Sequence, residues 1–321
     1  MADNGYIYAV ARIRSQELHL LNAQFLESLV SSGSEEAALK MLAEKGWGSE
    51  GQNAEEILTG EEQKIWDLIG ELVKDLSVFD VFRYENDYHN LKAAIKEACT
   101  AGTHPGIYMK GGTIDPSLLE TAMAERSFED IPQEMRAPAE EAMDVLLKTR
   151  DGQLCDCIID RAALTEIRKA GKASKSDLLG LYGELVCATG DIKTAVRGSR
   201  TGKDKSFLLE ALAPCSTLDV TRLAEAASDS SEALNAYIAA TPYSDALDEL
   251  KKSLSAFECW CDNLLIEKIR PQLHNSFGLD PLAAFILARR MEIKSVRIIL
   301  TGLRNDMPGN VIRERVRETY V

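Results

Sequence analysis

Three observations predict an all-α protein: the composition, the lack of strand patterning, and apolar residues recurring at helical spacing. The 321-residue sequence is 45% hydrophobic but only 6% aromatic, is rich in Ala, Leu and Glu, and has just 9 Pro. That mixture favours helix over sheet. Stretches alternating Val, Ile, Thr and aromatics are nearly absent, so β-structure is expected to be minor. Length and apolar content suffice for a sizeable core spread over two or three domains.

Taken in order, Leu21, Phe25, Leu29 and Val30 carry an apolar stripe through the first long helix. Ile65, Leu68, Ile69, Leu72 and Val73 carry another after a break at Gly60, each at the spacing of a single helix face. Asp115-Pro116 and Asp280-Pro281 both place an N-cap acceptor before a proline at the first helical position. Loops are expected at 46–60, 101–112, 197–205 and 302–310, where glycine and polar residues cluster. The polar stretch 216–231 contains Leu218, Val220 and Leu223 and reads as a helix start or a domain link.

An internal period organises these helices. Asp87-Tyr88-His89-Asn90-Leu91-Lys92 can be laid over Asp191-Ile192-Lys193-Thr194-Ala195-Val196 and over Glu292-Ile293-Lys294-Ser295-Val296-Arg297. The spacings, 87 to 191 and 191 to 292, are each close to a third of the 321 residues. Each copy begins with an acid and keeps apolar positions three or four apart. A glycine-containing loop and another helix follow each one: Ser117-Leu118-Leu119-Glu120, Phe207-Leu208-Leu209-Glu210 and Val311-Ile312-Arg313-Glu314. Asp160 and Arg168 correspond to Asp262 and Arg270 in the same register. A triplicated helical unit is therefore expected, as three similar bundles over residues 1–125, 126–225 and 226–321, with helices free to cross between repeats.

The formal net charge is -14 and the sequence pI about 4.9, so the surface as a whole is unsuited to nucleic acid or anionic lipid. Within 289–318, however, eight Arg or Lys face four Asp or Glu, a basic segment on an acidic chain that calls for a reason. The N-terminus lacks a basic region leading into an apolar one, and the longest apolar runs, such as 282–288, are far short of a membrane span. A soluble chain is expected. Its seven cysteines show no secreted-scaffold spacing and are expected as reduced thiols.

No catalytic, cofactor or metal site emerges. Cys155-Asp156-Cys157 and Cys259-Trp260-Cys261 are pairs at i and i+2, whose thiols diverge on a helix, so they read as packing residues rather than zinc ligands. Gly198-Ser199-Arg200-Thr201-Gly202-Lys203 resembles a Walker A loop, but it is one residue short and has Asp204 where the magnesium-binding hydroxyl belongs. His19, His89, His104 and His274 are scattered, and Glu35-Glu36 and Glu55-Glu56 sit as adjacent carboxylates on a helix surface. More informative is Arg289, which lies in line with Leu282, Phe285, Ile286 and Ile293. A guanidinium on an apolar stripe needs a carboxylate or a wet cavity. Asp262, Asp280 and Glu314 are the candidate partners, and the role is either an ion pair that positions helices or the polar lining of a partner-binding cavity.

The run Leu282-Ala283-Ala284-Phe285-Ile286-Leu287-Ala288-Arg289-Arg290-Met291-Glu292-Ile293-Lys294-Ser295-Val296-Arg297, with Ile312-Arg313-Glu314-Arg315-Val316-Arg317 and Tyr320-Val321, resembles the C-terminal signature of the C subunit of V/A-type ATPases (ATP synthases), whose eukaryotic relative is the d subunit of the membrane sector. Tyr6-Ile7-Tyr8-Ala9-Val10-Ala11-Arg12-Ile13-Arg14 resembles that family's opening helix, and Asp87-Tyr88-His89-Asn90-Leu91-Lys92 its first repeat. Thr194 and Val196 depart from the family's usual Asn and basic residue in the second repeat. The resemblance implies three pseudo-symmetric bundles forming a funnel with a central cavity, on the cytoplasmic face of the proteolipid ring. It implies a non-catalytic central-stalk connector that receives the D and F subunits of the rotor shaft and passes torque to the ring, without cofactor, metal, small-molecule substrate or nucleic acid. Arg289, Arg313, Arg315 and Arg317 are the candidate partner-interface residues. The alternatives are a helical scaffold for other partners and an enzyme holding a metal on its C-x-C pairs.

Overall fold

A computed structural model of the chain describes residues 4–49, 51–100 and 106–321, which contain helices and no β-strand. The first quarter forms α1 (Ile7–Glu17), α2 (Ala23–Val30), α3 (Glu35–Glu44) and α4 (Ala54–Leu72). The middle forms α5 (Tyr84–Thr100), α6 (Pro116–Glu125), α7 (Gln133–Thr149), α8 (Gly152–Ala173), α9 (Asp177–Arg200), α10 (Lys205–Ala211), α11 (Val220–Asp229) and α12 (Ser231–Ala239). The last part forms α13 (Leu247–Lys252), α14 (Leu254–Ile269), α15 (Asp280–Arg304) and α16 (Gly309–Arg313). These helices pack as two compact units, one made of Met1–Leu76 with Asp248–Val321, the other of Ser77–Leu247.

Side-chain caps explain where most helices begin. Asn22, Ser34, Asp151, Ser176 and Ser253 each accept a backbone N–H of the first turn, satisfying a donor that helix geometry leaves without a partner. Asp115 does the same for Ser117 N, with Pro116 opening the helix as expected. Asp280 does not: it lies inside the first turn of α15, Leu279 precedes it, and no side-chain cap is made there. The 46–60 loop is also shorter than its glycines suggested. Asn53 and Glu56 close a reciprocal capping box that starts α4, and this outweighs the roughly 1 kcal/mol disadvantage of one interior glycine, Gly60. Leu21 precedes its helix, because α1 and α2 are separate elements. His104 and the first part of the 101–112 loop lie outside the described residues.

Helices α9 and α15 each run through a glycine that had marked a loop, Gly198 and Gly302. At both, a close neighbour occupies the space of a side chain: a Cβ on Gly198 would meet Leu208 Cδ2 at 2.5 Å, and one on Gly302 would meet Ile312 Cγ1 at 2.7 Å. These glycines serve packing rather than chain reversal. The same device brings α8 against α9 in the Ser77–Leu247 unit. A Cβ on Gly183 would come within 2.9 Å of both Arg168 Cα and Ile167 O, and one on Gly171 would collide with the carbonyl of Leu179. Replacing Gly183 by Ala gains up to about 1 kcal/mol of helix propensity. The obstacle is backbone, which cannot swing aside, so a net loss of about 1–3 kcal/mol is expected in urea unfolding. A stabilised variant would show that the two helices are not held in close contact.

Each unit has its own core. In the Ser77–Leu247 unit, Tyr88, Leu91, Ile95, Met135, Met143 and Ile159 belong to one buried apolar cluster, and Phe82 meets Tyr182 edge-on with centroids 4.8 Å apart. In the other unit α15 is the central element and packs on α1, α2, α3, α4 and α14. Every residue from Pro281 to Ala288 is buried, so this part of the helix is covered on all sides, as its continuous apolar sequence requires. Arg14 fastens α1 to the chain just before α15. Its Nη2 donates to the carbonyls of Gln272 at 2.6 Å and Asn275 at 2.5 Å, while Nη1 is 2.6 Å from Glu17.

Candidate functional site along the C-terminal helix

Below its apolar half, α15 turns charged, and Arg289 is the first residue of the change. Its side chain is 12% exposed, lying between Glu61 at 3% and Glu292 at 5%. Nη2 reaches Glu61 Oε2 at 2.7 Å and Nη1 reaches Glu292 Oε2 at 2.5 Å. The second oxygen of each acid is also engaged: Glu292 Oε1 accepts Leu21 N–H at 2.5 Å, and Glu61 Oε1 accepts Gly48 N–H at 3.2 Å and Lys64 Nζ at 2.6 Å. The guanidinium stacks 4.8 Å from the centre of the buried Trp47 ring. None of Asp262, Asp280 or Glu314 is the partner. The acids that meet Arg289 come from α4 and from the next turn of α15, and Glu61 is 228 residues away in sequence.

Arg289 also lines a cavity of about 270 Å³, together with Gln16, His19, Trp47, Glu61 and Lys64. It is therefore at once a helix-positioning ion pair and a cavity wall. Burial pushes the Glu292 carboxyl up to about 7, against the pull of Arg289 and the Leu21 amide. Desolvation outweighs ion pairing for this carboxyl.

Four more arginines of the basic segment pair with the acidic N-terminal helices. Arg290 is 3.4 Å from Glu62, Arg297 is 2.5 Å from Glu55, Arg304 is 2.5 Å from Glu35, and Arg313 is 2.6 Å from Glu27. As the arginine number rises the glutamate number falls, so the ladder runs antiparallel along α4, α3 and α2. Arg304 and Arg313 hold the carboxyls of Glu35 and Glu27 below their ordinary range. Such exposed pairs are screened by solvent and act on register more than on stability. The ladder supplies the reason for the charge asymmetry: the basic end of the chain is largely neutralised by its own beginning.

The chain end is strapped down in the same way. Arg317 is buried, its Nε donating to Asp262 at 2.7 Å and its Nη1 to the Arg315 carbonyl. Lys294 reaches the same Asp262 oxygen at 2.6 Å. Arg270 donates to Glu318 and to the Thr319 carbonyl, and Asn263 accepts the Glu318 N–H. Of the four arginines singled out from sequence, Arg317 is thus buried and Arg289 half-buried, both in ion pairs. Arg313 is exposed in a surface pair, and Arg315 is exposed and makes no side-chain bond among the described residues.

Three aligned acids share an unforeseen role. Asp87, Asp191 and Glu292 are all buried, and each accepts a backbone N–H from a distant segment: Thr113 and Ile114, Ala213, and Leu21 respectively. The sequence signal was an acid embedded in an apolar helical stripe, the same oddity that drew attention to Arg289.

The other sequence candidates resolve simply. Cys155 lies in the apolar core, and Cys259 Sγ is 3.8 Å from the Val316 carbonyl. The Walker-like segment spans the end of α9 and the following turn. The amides of Thr201, Gly202 and Lys203 are already bonded to the carbonyls of Arg197, Gly198 and Ser199, so they form no phosphate cradle. One cluster of metal-ligand types was missed, Cys187 with Asp191 and Cys215; the Cys and Asp at i and i+4 on one helix were its signal.

A family model described as ATP synthase (C/AC39) subunit matches residues 9–315. The C subunit of the V-type sodium ATPase of Enterococcus hirae is 22% identical over 318 residues, covering 96% of this chain and 97% of that protein. Most of the opening helix, the repeat acids and the charged end of α15 fall within the match, and the chain belongs to the ATP synthase (C/AC39) subunit family.

Proposed function

We propose that the chain is the non-catalytic connector of a V/A-type rotary ATPase, joining the D and F subunits of the rotor shaft to the membrane proteolipid ring and transmitting torque between them. The family match over residues 9–315 carries this reading. The C subunit of a V-type ATPase is an accessory component and not the catalytic one, and no helix among the described residues is long and apolar enough to cross a membrane. The connector would act peripherally, on the cytoplasmic face, through the ring. The three buried acids at one period support a triplicated helical unit behind this architecture.

A part that bears torque must resist shear. Closely packed helices with interlocking glycine contacts deform little, and the Arg289 cluster ties α4, α15 and the Leu21 segment to one another. For partner contact the exposed arginines are the available ones. Arg315 is uncommitted, and Arg313 can exchange the weak surface pair with Glu27 for a partner carboxylate. Arg317 supports them from beneath by fixing the tail.

The experiment is co-purification of the full chain with the D and F shaft proteins at low and high salt. Association at low salt is expected, and Arg313→Glu with Arg315→Glu should weaken it about tenfold or more, by an amount that shrinks as salt rises. Unchanged affinity in a folded double variant would remove these two residues from the interface. No association of the wild type at low salt would favour a scaffold for other partners.

A further inference from the structure

The Ser77–Leu247 unit holds a cluster for which torque transmission has no use. Cys187 and Asp191 share one face of α9, and Cys215 reaches them from the loop between α10 and α11. Their two sulfurs and a carboxylate oxygen all lie within 4.8 Å of one another, with Cys187 and Asp191 fully buried and Cys215 partly so. Asp191 Oδ1 accepts the Ala213 N–H at 2.8 Å, but Oδ2 is buried with no hydrogen-bond partner among the described residues.

That bare oxygen is the informative feature. Buried carboxylates in proteins are bonded through both oxygens or sit beside a cation. Asp87 at the matching repeat position meets this rule, because the Thr113 hydroxyl closes its Oδ2 at 2.7 Å. Glu292 meets it through Arg289. At Asp191 the backbone donor comes from Ala213, which has no hydroxyl, and no basic side chain is bonded to it. The groups placed around it are two thiols instead.

The loop that brings Cys215 is also held in advance. Glu184 accepts Ser216 N–H at 2.6 Å, Thr217 N–H at 2.7 Å and the Thr217 hydroxyl at 2.9 Å, and is itself paired with Arg168 at 2.8 Å. Two carbonyls are at hand for a fourth position: Ala213 O and Pro214 O lie 3.8 and 3.9 Å from Cys187 Sγ. A tetrahedral zinc with one sulfur and one oxygen ligand has an edge of roughly 3.6 Å. Two sulfurs with one carboxylate oxygen suit a borderline-soft dication better than magnesium or calcium.

We propose that Cys187, Asp191 and Cys215 form a buried binding site for a zinc-class divalent cation, which pins α9 to the loop between α10 and α11. Binding forms two metal–thiolate bonds and one metal–carboxylate bond and releases the protons those groups carried; no electron is transferred.

The test uses the full chain, purified under reducing conditions, stripped with a chelator and titrated with Zn²⁺ and separately with Co²⁺. About one equivalent should bind, with a thiolate-to-cobalt charge-transfer band and a rise in Tm on adding zinc. The Cys187→Ala, Cys215→Ala double variant should lose the band and the zinc-dependent rise in Tm, while Cys155→Ser with Cys259→Ser keeps both. Asp191→Asn should weaken zinc binding about tenfold or more. Uptake of less than roughly a tenth of an equivalent by the wild type overturns the proposal. So does full binding by the double cysteine variant, or a Cys187–Cys215 disulfide that, once reduced, still leaves the protein unable to bind zinc. The wild-type titration decides the matter even if a variant fails to fold.

Discussion

Replacing Arg289 by Met is expected to destabilise the chain by about 3–5 kcal/mol at neutral pH, because it leaves Glu61 and Glu292 as buried acids without their shared cation. The loss exceeds that of any rung in the surface ladder, where both partners stay hydrated. It also removes the cation stacked on Trp47, worth about 0.5–2 kcal/mol. Lys at this position keeps the charge but cannot reach both carboxylates as a planar fork, so Arg289→Lys should fall between Met and wild type. Urea unfolding at fixed pH measures all three.

The pH dependence supplies a second readout. Glu292 is raised by burial from 4.5 to about 7 in the folded chain, so the folded state holds its proton more tightly than the unfolded state. Its contribution to stability is therefore fully present below about 4.5 and is lost as pH rises through about 7, a change on the order of 3 kcal/mol. Glu292→Gln removes that titration, so the wild type should lose stability relative to Glu292→Gln between those limits. The Arg289→Met deficit should likewise shrink toward acid pH, where the stranded Glu292 carboxyl is neutral. A deficit that stays constant from pH 4.5 to 7.5 would mean that the cluster's charges are not its structural element.

The second large effect is expected at Asp87. Leu there should cost about 2–4 kcal/mol, since the amides of Thr113 and Ile114 and the Thr113 hydroxyl all lose the buried carboxylate that accepts them, with Ile114 half-buried and Thr113 exposed. Asn should be far milder, near 1 kcal/mol, because one amide oxygen can still accept both backbone N–H groups and its nitrogen can donate to the threonine hydroxyl. Burial raises the Asp87 carboxyl above its ordinary range, so its contribution also diminishes as pH rises, and Asn removes that dependence. Hydrogen exchange at Thr113 and Ile114 separates the variants: protection should persist in Asn and vanish in Leu. Equal losses for Leu and Asn would instead point to a requirement for the negative charge.

Much of this was legible beforehand for local reasons. Helical class follows from composition and spacing, and the start of α6 from Asp115-Pro116, because a cap and its helix are neighbours in the chain. Family membership was legible too, since the motif at 282–297 and the opening helix are contiguous strings. Misreadings came where a long-range contact overrode a local preference. Gly198 and Gly302 looked like loop residues until Leu208 and Ile312 were found packed against them.

The chain's residues, taken in order, thus settle that it is helical, that α6 starts at Asp115-Pro116, that its acids recur at a period near a third of its length, and that its basic charge gathers near the end. Spacing could also say that Arg289 needed a partner. It could not name Glu61, because a charge pair across 228 residues depends on how α4 and α15 approach each other, and sequence periodicity carries no information about that approach. The same limit hid the meeting of Cys215 with Cys187 and Asp191, and the pairing of the basic C-terminal segment with acidic helices from the chain's beginning.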